Sequence, residues 1–166
     1  MTDDIYEHVR FRNEPAGCIV AIEPELAGRT LLVNGVSKTY AMTGFRLGYG
    51  AGPAGLIKAM NTIQSQSSSC VSSISQEAAV AALEGDQSFA SESREVFRRR
   101  RDRAVAMIND IPGLSCLPPD GAFYVFPSCA GLIGKTTPSG KVLETDFDVV
   151  MYFLDAVGVA VIDGTA

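Results

Sequence analysis

The sequence lacks several features that mark common functional classes. It has one histidine, His8, and four cysteines with no C-x-x-C pair and no paired spacing. This argues against a zinc site, a histidine-based catalytic triad and a disulfide framework, and we expect the thiols to be buried and reduced. No uninterrupted apolar run reaches the roughly 18 residues of a membrane helix. Residues 1–6 are acidic where a secretory signal would be basic, so we expect a cytoplasmic protein without a metal or a membrane partner.

An excess of positive charge is also missing. With 14 Lys and Arg against 19 Asp and Glu, the formal net charge is -5, which disfavours nucleic acid as a partner. The run of arginines at residues 98–101 is a local exception. Four consecutive helical residues point around the helix axis, and Glu92, Glu95 and Asp102 lie nearby in the sequence. We therefore predict a solvated, ion-paired helix surface there.

The 166 residues have the composition of a globular protein, with 46% hydrophobic and 20% charged residues. Short runs rich in strand-forming residues predict strands at 30–34, 46–50, 122–126 and 159–162. Helical spacing predicts one helix that begins near Pro53 and is broken by the serine-rich run 65–75. Further helices are predicted at 75–84, capped at its start and ended by Gly85, at 87–110 and at 146–156. This alternation predicts an α/β or α+β fold.

Apolar spacing also predicts which helix faces are buried. In helix 87–110 the predicted inner stripe comprises Phe89, Val96, Phe97, Ala104, Met107 and Ile108. In helix 146–156 the predicted inner face comprises Phe147, Val150, Met151 and Leu154.

A glycine pattern after the second predicted strand has two interpretations. Gly50, Gly52 and Gly55 satisfy G-x-G-x-x-G before a helix, as a dinucleotide-binding loop requires. The serine-rich run occupies the place where such a fold needs an acidic residue, about 20 positions later. We therefore interpret these glycines as a tight turn from strand to helix.

The connection between the strands predicted at 30–34 and 46–50 contains Lys38. The segment NGVSKTYAMTGFRLG, residues 34–48, strongly resembles the cofactor-attachment motif of class I aminotransferases, in which an arginine follows the lysine by eight positions. The resemblance implies pyridoxal phosphate as cofactor, with Lys38 forming the internal aldimine and then moving the substrate's proton. A lysine amine condenses with aldehydes and acts as a base when its pKa is lowered. Arg46 would bind the cofactor's phosphate.

Two further segments extend this resemblance. Residues 3–6, Asp-Asp-Ile-Tyr, are similar to the family's Asp-x-x-Tyr signature. This implies that Asp3 keeps the cofactor's ring nitrogen protonated and that Tyr6 donates a hydrogen bond to the ring's phenolic oxygen. The segment GAFYVFP, residues 121–127, resembles a strand beside the substrate, with Phe123 as the expected contact. Asp3, Tyr6, Lys38 and Arg46 would thus hold the cofactor, with Lys38 as the catalytic residue.

The resemblance covers essentially the whole chain and is closest to bacterial aspartate aminotransferases and their prephenate-using relatives. It implies an α/β fold of type I, with part of the large cofactor domain at 1–86, a connecting helix at 87–110 and part of the small domain at 111–166. Two positions depart from the family pattern. Gly35 stands where some members carry a serine that contacts the phosphate, and Ser68-Ser69-Cys70 replaces the more usual Thr-Ser-Asn near the dimer partner.

The segment begins at the Asp-x-x-Tyr strand and ends before the arginine that binds the substrate's α-carboxylate in relatives. We therefore expect the chain alone to be inactive and to expose apolar surface that a homodimer or a complementing N-terminal half would cover. Amino acids and 2-oxo acids, with aspartate first, are the implied substrates. A carbon–sulfur lyase or decarboxylase of the same fold, and a non-catalytic fragment that acts by association, remain open.

Overall fold

The computed structural model of the chain describes residues 1–12, 14 and 17–165 and has an α/β fold. Its strands are β1 (Thr2–Asp3), β2 (Leu32–Gly35) and β3 (Gly48–Ala51). Its α-helices are α1 (Ile19–Ile22), α2 (Ala54–Ser67), α3 (Ser73–Glu84), α4 (Ser88–Asn109) and α5 (Asp146–Val157). Short 3-10 helices span Pro24–Arg29, Thr43–Phe45 and Ala130–Leu132.

The three strands form one mixed sheet in the order β1-β2-β3. β1 is parallel to β2, with Asp3 opposite Val33, and β2 is antiparallel to β3, with Asn34 opposite Tyr49. The strands predicted at 30–34 and 46–50 are confirmed, each shifted by one or two residues. Because β1 and β2 are parallel neighbours, the residues that follow both strands meet at the same edge of the sheet.

The chain divides into two compact units. The first comprises residues 1–98 with 120–123, and the second comprises 99–119 with 124–166. In the first unit the buried apolar residues are Val9, Val36 and Ala79, and in the second they are Val105, Cys116, Leu143 and Val149. Each unit therefore has its own small core, and all candidate site residues belong to the first.

The helix bounds confirm most of the helix predictions. α2 begins directly after Pro53, and α4 and α5 match their predicted spans to within one residue. α3 ends at Glu84 with Gly85 as its C-cap, as expected. Its start was placed two residues late, because α3 begins at Ser73, and its N-cap residue makes no side-chain capping bond. α2 also continues to Ser67, well into the serine-rich run.

Both ends of α5 are capped. The Thr145 side chain accepts a hydrogen bond from the Asp148 amide, while the Asp148 carboxylate accepts from the Thr145 amide. This reciprocal pair satisfies amides that the first turn leaves without helical partners. At the other end Gly158 adopts the left-handed conformation, with φ of 69°, that glycine tolerates best.

The predicted buried faces of two helices are partly wrong. In α4 the buried residue is Val105, whereas Met107 is 58% exposed and Phe89 is 47% exposed. In α5 Val149 is buried, while Phe147 and Leu154 of the predicted face are exposed. Helical spacing identifies an apolar stripe but leaves its rotation toward the core to tertiary contacts.

The strands predicted at 122–126 and 159–162 do not form. Residues 122–127 are irregular, Ala122 has a φ of 59°, and only the flanking Gly121 and Ser128 make isolated bridges, to Arg10 and Ser115. Residues 159–162 are likewise irregular and exposed. A strand requires a ladder of hydrogen bonds to a neighbour. In the part of the chain that the structure describes, the Ala122 amide donates to the Val9 carbonyl at 2.7 Å, but no segment forms a ladder with either run.

Three smaller expectations can also be compared with the structure. The arginine run is ion-paired as predicted, with Arg98 bound to Glu95 and Arg101 bound to Asp102. The four cysteines are free, but only Cys116 is buried and Cys70 is exposed, so the expectation of buried thiols was wrong for the others. Among the described helices, none has the length and apolar character needed to cross a membrane.

Candidate active site

Lys38 lies in a tight turn directly after β2. Val36, which is fully buried, and Thr39, which is 5% exposed, fix the turn on either side of the lysine. The Tyr40 amide donates to the Val36 carbonyl at 3.3 Å, and the Ala41 amide donates to the Lys38 carbonyl at 3.3 Å. The lysine therefore lies on a connection between two strands, as the sequence predicted, and its neighbours Val36 and Thr39 are anchored in the core.

Two aromatic rings flank the Lys38 amine. Its Nζ lies 5.7 Å from the centroid of the Tyr6 ring and 5.4 Å from that of Phe123. The two rings contact each other edge to face at 5.4 Å, and Phe97 contacts Phe123 at the same centroid distance. Ammonium groups are attracted to aromatic faces within about 6 Å. Three residues that are far apart in sequence, and that were each predicted for the site, are thus brought together.

A pocket of about 230 Å³ surrounds the lysine. Its lining combines apolar rings, hydroxyl groups and three basic side chains, and no carboxylate residue belongs to it. The lining residues that carry this character are Lys38, His8, Arg94, Thr43, Phe97 and Phe123. Such a lining suits a small organic anion. Sequence reasoning missed Arg94 and placed His8 outside the site, because neither lies in a recognised motif.

Arg46 lies in the same loop as the lysine. It follows the 3-10 helix Thr43–Phe45, adopts a left-handed conformation with φ of 51°, and is exposed. Its Nη1 donates to the Thr43 carbonyl at 2.8 Å, and Thr43 lines the Lys38 pocket. The guanidinium is therefore connected to the pocket through Thr43.

Asp3 is the last residue of β1 and lies at the same sheet edge as the lysine turn, since β1 runs parallel to β2. Its Oδ1 accepts a hydrogen bond from the Ile5 amide at 3.1 Å, which begins the turn that carries Tyr6. The Asp4 amide donates to the Val33 carbonyl at 2.9 Å and ties this turn to β2. Ligands of α/β proteins bind at this carboxyl edge.

Close packing of the backbone explains why glycine stands at position 35. A Cβ at this position would lie 3.0 Å from the Ile5 Cδ1 and the Leu47 carbonyl oxygen, and 3.1 Å from the Gly48 Cα. Two of these neighbours are backbone, so a serine would require the strands to move. The close approach of Gly35 to Leu47 and Gly48 therefore disfavours the serine that some family members carry here.

A partly buried polar contact joins the Tyr6 turn to β2. The Asn34 side-chain amide donates to the Glu7 carboxylate at 2.6 Å, and Asn34 Oδ1 accepts from the Gly35 amide at 2.7 Å. The pKa of the nearby Tyr49 phenol is raised, first by burial and then by the negative charge of Glu7. Sequence reasoning did not identify Glu7 or Asn34 as site residues.

A family model and the sequences of known proteins match the whole of this chain. The family model of aminotransferase class I and II matches residues 1–166. A probable aspartate/prephenate aminotransferase of Rhizobium leguminosarum bv. phaseoli is 55% identical over 166 residues, which is all of this chain and 42% of the relative. An aspartate aminotransferase of Rhizobium meliloti (strain 1021) is 54% identical over all of this chain and 40% of the relative.

A solved structure is similar over nearly the same length. The aspartate aminotransferase from Rhizobium meliloti matches with a TM-score of 0.94 and 53% identity, over 98% of this chain and 40% of that chain. The chain thus spans about 40% of the length of the relatives that it matches. On the sequence match over every residue, the chain belongs to the aminotransferase class I and II family.

Proposed function

We propose that the protein transfers an amino group between an amino acid and a 2-oxo acid, with aspartate as the first candidate donor, and that pyridoxal phosphate is its cofactor. The observation that carries the proposal is the Lys38 amine, held beside the rings of Tyr6 and Phe123 in a pocket that contains no carboxylate residue. Relatives that are named aspartate or aspartate/prephenate aminotransferases support the substrate class.

The residues present fit this cofactor. The pocket offers one primary amine for attachment. Asp3 is the last residue of β1, and Arg46 lies in the loop that follows the parallel strand β2. When bound, pyridoxal phosphate supplies a ring that withdraws electrons from the substrate's α-carbon. We propose that Asp3 holds a proton at the ring nitrogen, Tyr6 donates to the phenolic oxygen and Arg46 binds the phosphate.

Lys38 has two roles in this proposal. Its amine would hold the cofactor and, when free, would accept a proton from the substrate's α-carbon. A lysine suits both roles because its amine is a nucleophile and a base when neutral. Phe123 would cover the substrate side of the pocket and exclude water, which strengthens the electrostatic contacts inside.

The remaining expectations are part of the same proposal. Residues 1–86 would belong to the cofactor domain and 111–166 to the small domain, joined by the helix at 87–110. Association with a second copy or a complementing polypeptide would cover the exposed apolar side chains of α2 and α3, which include Leu56, Met60, Ile63, Ile74, Val80 and Leu83. We propose a cytoplasmic location.

The experiment follows isotopically labelled nitrogen from aspartate to 2-oxoglutarate in the full-length protein with added pyridoxal phosphate. Transfer to the 2-oxo acid, and none in a Lys38→Ala variant, is the expected result. Breakdown of a sulfur-containing amino acid without any need for a 2-oxo acid acceptor would identify a carbon–sulfur lyase instead. Absence of both reactions would contradict the proposed function.

A further inference from the structure

We propose that Glu7 is a positioning residue: its hydrogen bond with Asn34 holds the Tyr6 turn against the strand that leads to Lys38, and so sets the separation of the Tyr6 phenol and the lysine amine. The proposal rests on the proposed function, since it concerns how the same site is held in place. It adds Glu7 and Asn34 to the residues on which cofactor attachment depends.

The first observation is the position of Asn34. It is the third residue of β2, four residues before Lys38, and it is only 7% exposed. Both ends of its side chain are used, because Nδ2 donates to Glu7 at 2.6 Å and Oδ1 accepts from the Gly35 amide at 2.7 Å. A buried amide that loses a partner carries an unsatisfied polar group, so Asn34 depends on Glu7 to stay in place.

The second observation is the position of Glu7. It directly follows Tyr6, and its amide donates to the Asp4 carbonyl at 2.9 Å, so its backbone is part of the turn that presents the phenol. Its carboxylate lies 3.5 Å from the His8 Nε2 and is partly buried, with 31% of the side chain exposed. Its charge also contributes to the raised pKa of Tyr49, the residue opposite Asn34 in the sheet. Hydrogen bonds to a charged acceptor are stronger than neutral ones.

The third observation is how Tyr6 and Lys38 meet. The lysine is positioned by β2 and its turn, whereas Tyr6 is positioned by a different turn after β1. The ring and the amine are 5.7 Å apart, and the Glu7–Asn34 hydrogen bond links the two supports by side chains. Without this bond the Asp4 amide would still hold the start of the turn to the Val33 carbonyl, and the part of the turn that carries Tyr6 and Glu7 would be free to shift. A displacement of about 1 Å at a reacting group can cost roughly 100-fold in rate.

The experiment compares three variants of the full-length protein: Glu7→Ala, which removes the acceptor, Glu7→Gln, which keeps an acceptor oxygen, and Glu77→Ala, an exposed position in α3 that serves as control. Two measurements use added pyridoxal phosphate: the rate at which borohydride fixes it to Lys38, and the midpoint pH of the visible absorbance. A third follows hydrogen exchange at the Gly35 amide without cofactor.

We expect attachment in Glu7→Ala to be about 10-fold slower or more, while Glu7→Gln and Glu77→Ala stay within about threefold of the unaltered protein. The midpoint pH should rise by about one unit in Glu7→Ala, since a displaced phenol no longer stabilises the anionic ring oxygen. Exchange at Gly35 should accelerate in Glu7→Ala, because Asn34 loses the partner that orients it.

Several results would contradict the positioning role of Glu7. Normal attachment and an unchanged midpoint in Glu7→Ala would overturn the proposal, as would equal losses in Glu7→Ala and Glu7→Gln, which would assign the effect to charge. If Glu7→Ala fails to fold, Glu7→Asp, which withdraws the acceptor by one methylene, should show the same changes at smaller size, and its equality with the unaltered protein would contradict the proposal. If the unaltered protein attaches no cofactor at Lys38, the proposed function fails instead.

Discussion

The turn that carries Lys38 and the apolar segment at 122–126 were both predicted from short sequence patterns, and they differ in outcome. The lysine turn forms between β2 and β3, with Val36 and Thr39 buried beside it. Residues 122–126 were expected to be a strand and are irregular, with Phe126 80% exposed. The turn follows a strand that is paired with both β1 and β3, whereas a strand at 122–126 would need a ladder partner that the described chain does not provide.

The largest effect is expected from a substitution at Lys38, in the lysine turn. Lys38→Ala should lower amino transfer by about 1,000-fold or more, because one side chain supplies both the attachment point and the proton transfer. Lys58→Ala on the exposed surface of α2 is the matched control and should leave the rate unchanged. The rate of labelled-nitrogen transfer measures both. A Lys38→Ala variant with more than a tenth of normal activity would refute the role.

A smaller loss is expected from Arg46→Ala. Removal of charge-assisted hydrogen bonds to a phosphate should weaken cofactor binding by about 2–3 kcal/mol, or roughly 100-fold in Kd. The Kd of Arg46→Lys should lie between those of the unaltered protein and Arg46→Ala, since an ammonium keeps the charge without the bidentate geometry. Equilibrium titration of the visible absorbance measures the Kd, with the exposed Arg99→Ala as control. Equal affinity in Arg46→Ala and Arg99→Ala would exclude the phosphate role.

The turn that carries Lys38 could be predicted from the sequence because the patterns that indicate it are local. The motif around Lys38 and Arg46, the flanking strands and the capping glycine Gly85 depend on residues near them in the chain. Phe97, by contrast, packs on Phe123 from a distant segment, and Arg94 and the Glu7–Asn34 hydrogen bond carry no motif at all. These contacts depend on tertiary packing, which a periodic pattern does not specify.

Two valine substitutions compare the contributions of a buried and an exposed apolar residue to stability. Val149→Ala, in the core of the second unit, should lower the free energy of unfolding by about 1–3 kcal/mol through lost burial and a residual cavity. Val161→Ala, in the segment wrongly predicted as a strand, should change it by less than about 0.5 kcal/mol. Guanidinium unfolding measures both. Equal effects would show that residues 159–162 are packed in the native protein.

The smallest expected effect concerns the cap of α5. Hydrogen bonds from Lys141 and Thr145 lower the pKa of Asp148 to about 2. Since this pKa is depressed below the unfolded value of about 4, the carboxylate stabilises the fold above pH 4, and its contribution is lost as the pH falls toward 2. Asp148→Asn should therefore be less stable than the unaltered protein at pH 7, with the difference vanishing near pH 2. A difference independent of pH would contradict the assignment.

Site mapping of the cofactor tests the central claim most directly. The full-length protein is incubated with pyridoxal phosphate and reduced with borohydride, and its peptides are sequenced by mass spectrometry. We expect one modified lysine among residues 1–166, Lys38, with Lys58, Lys135 and Lys141 unmodified. Modification of another lysine in place of Lys38, or no modification in the segment at all, would contradict it.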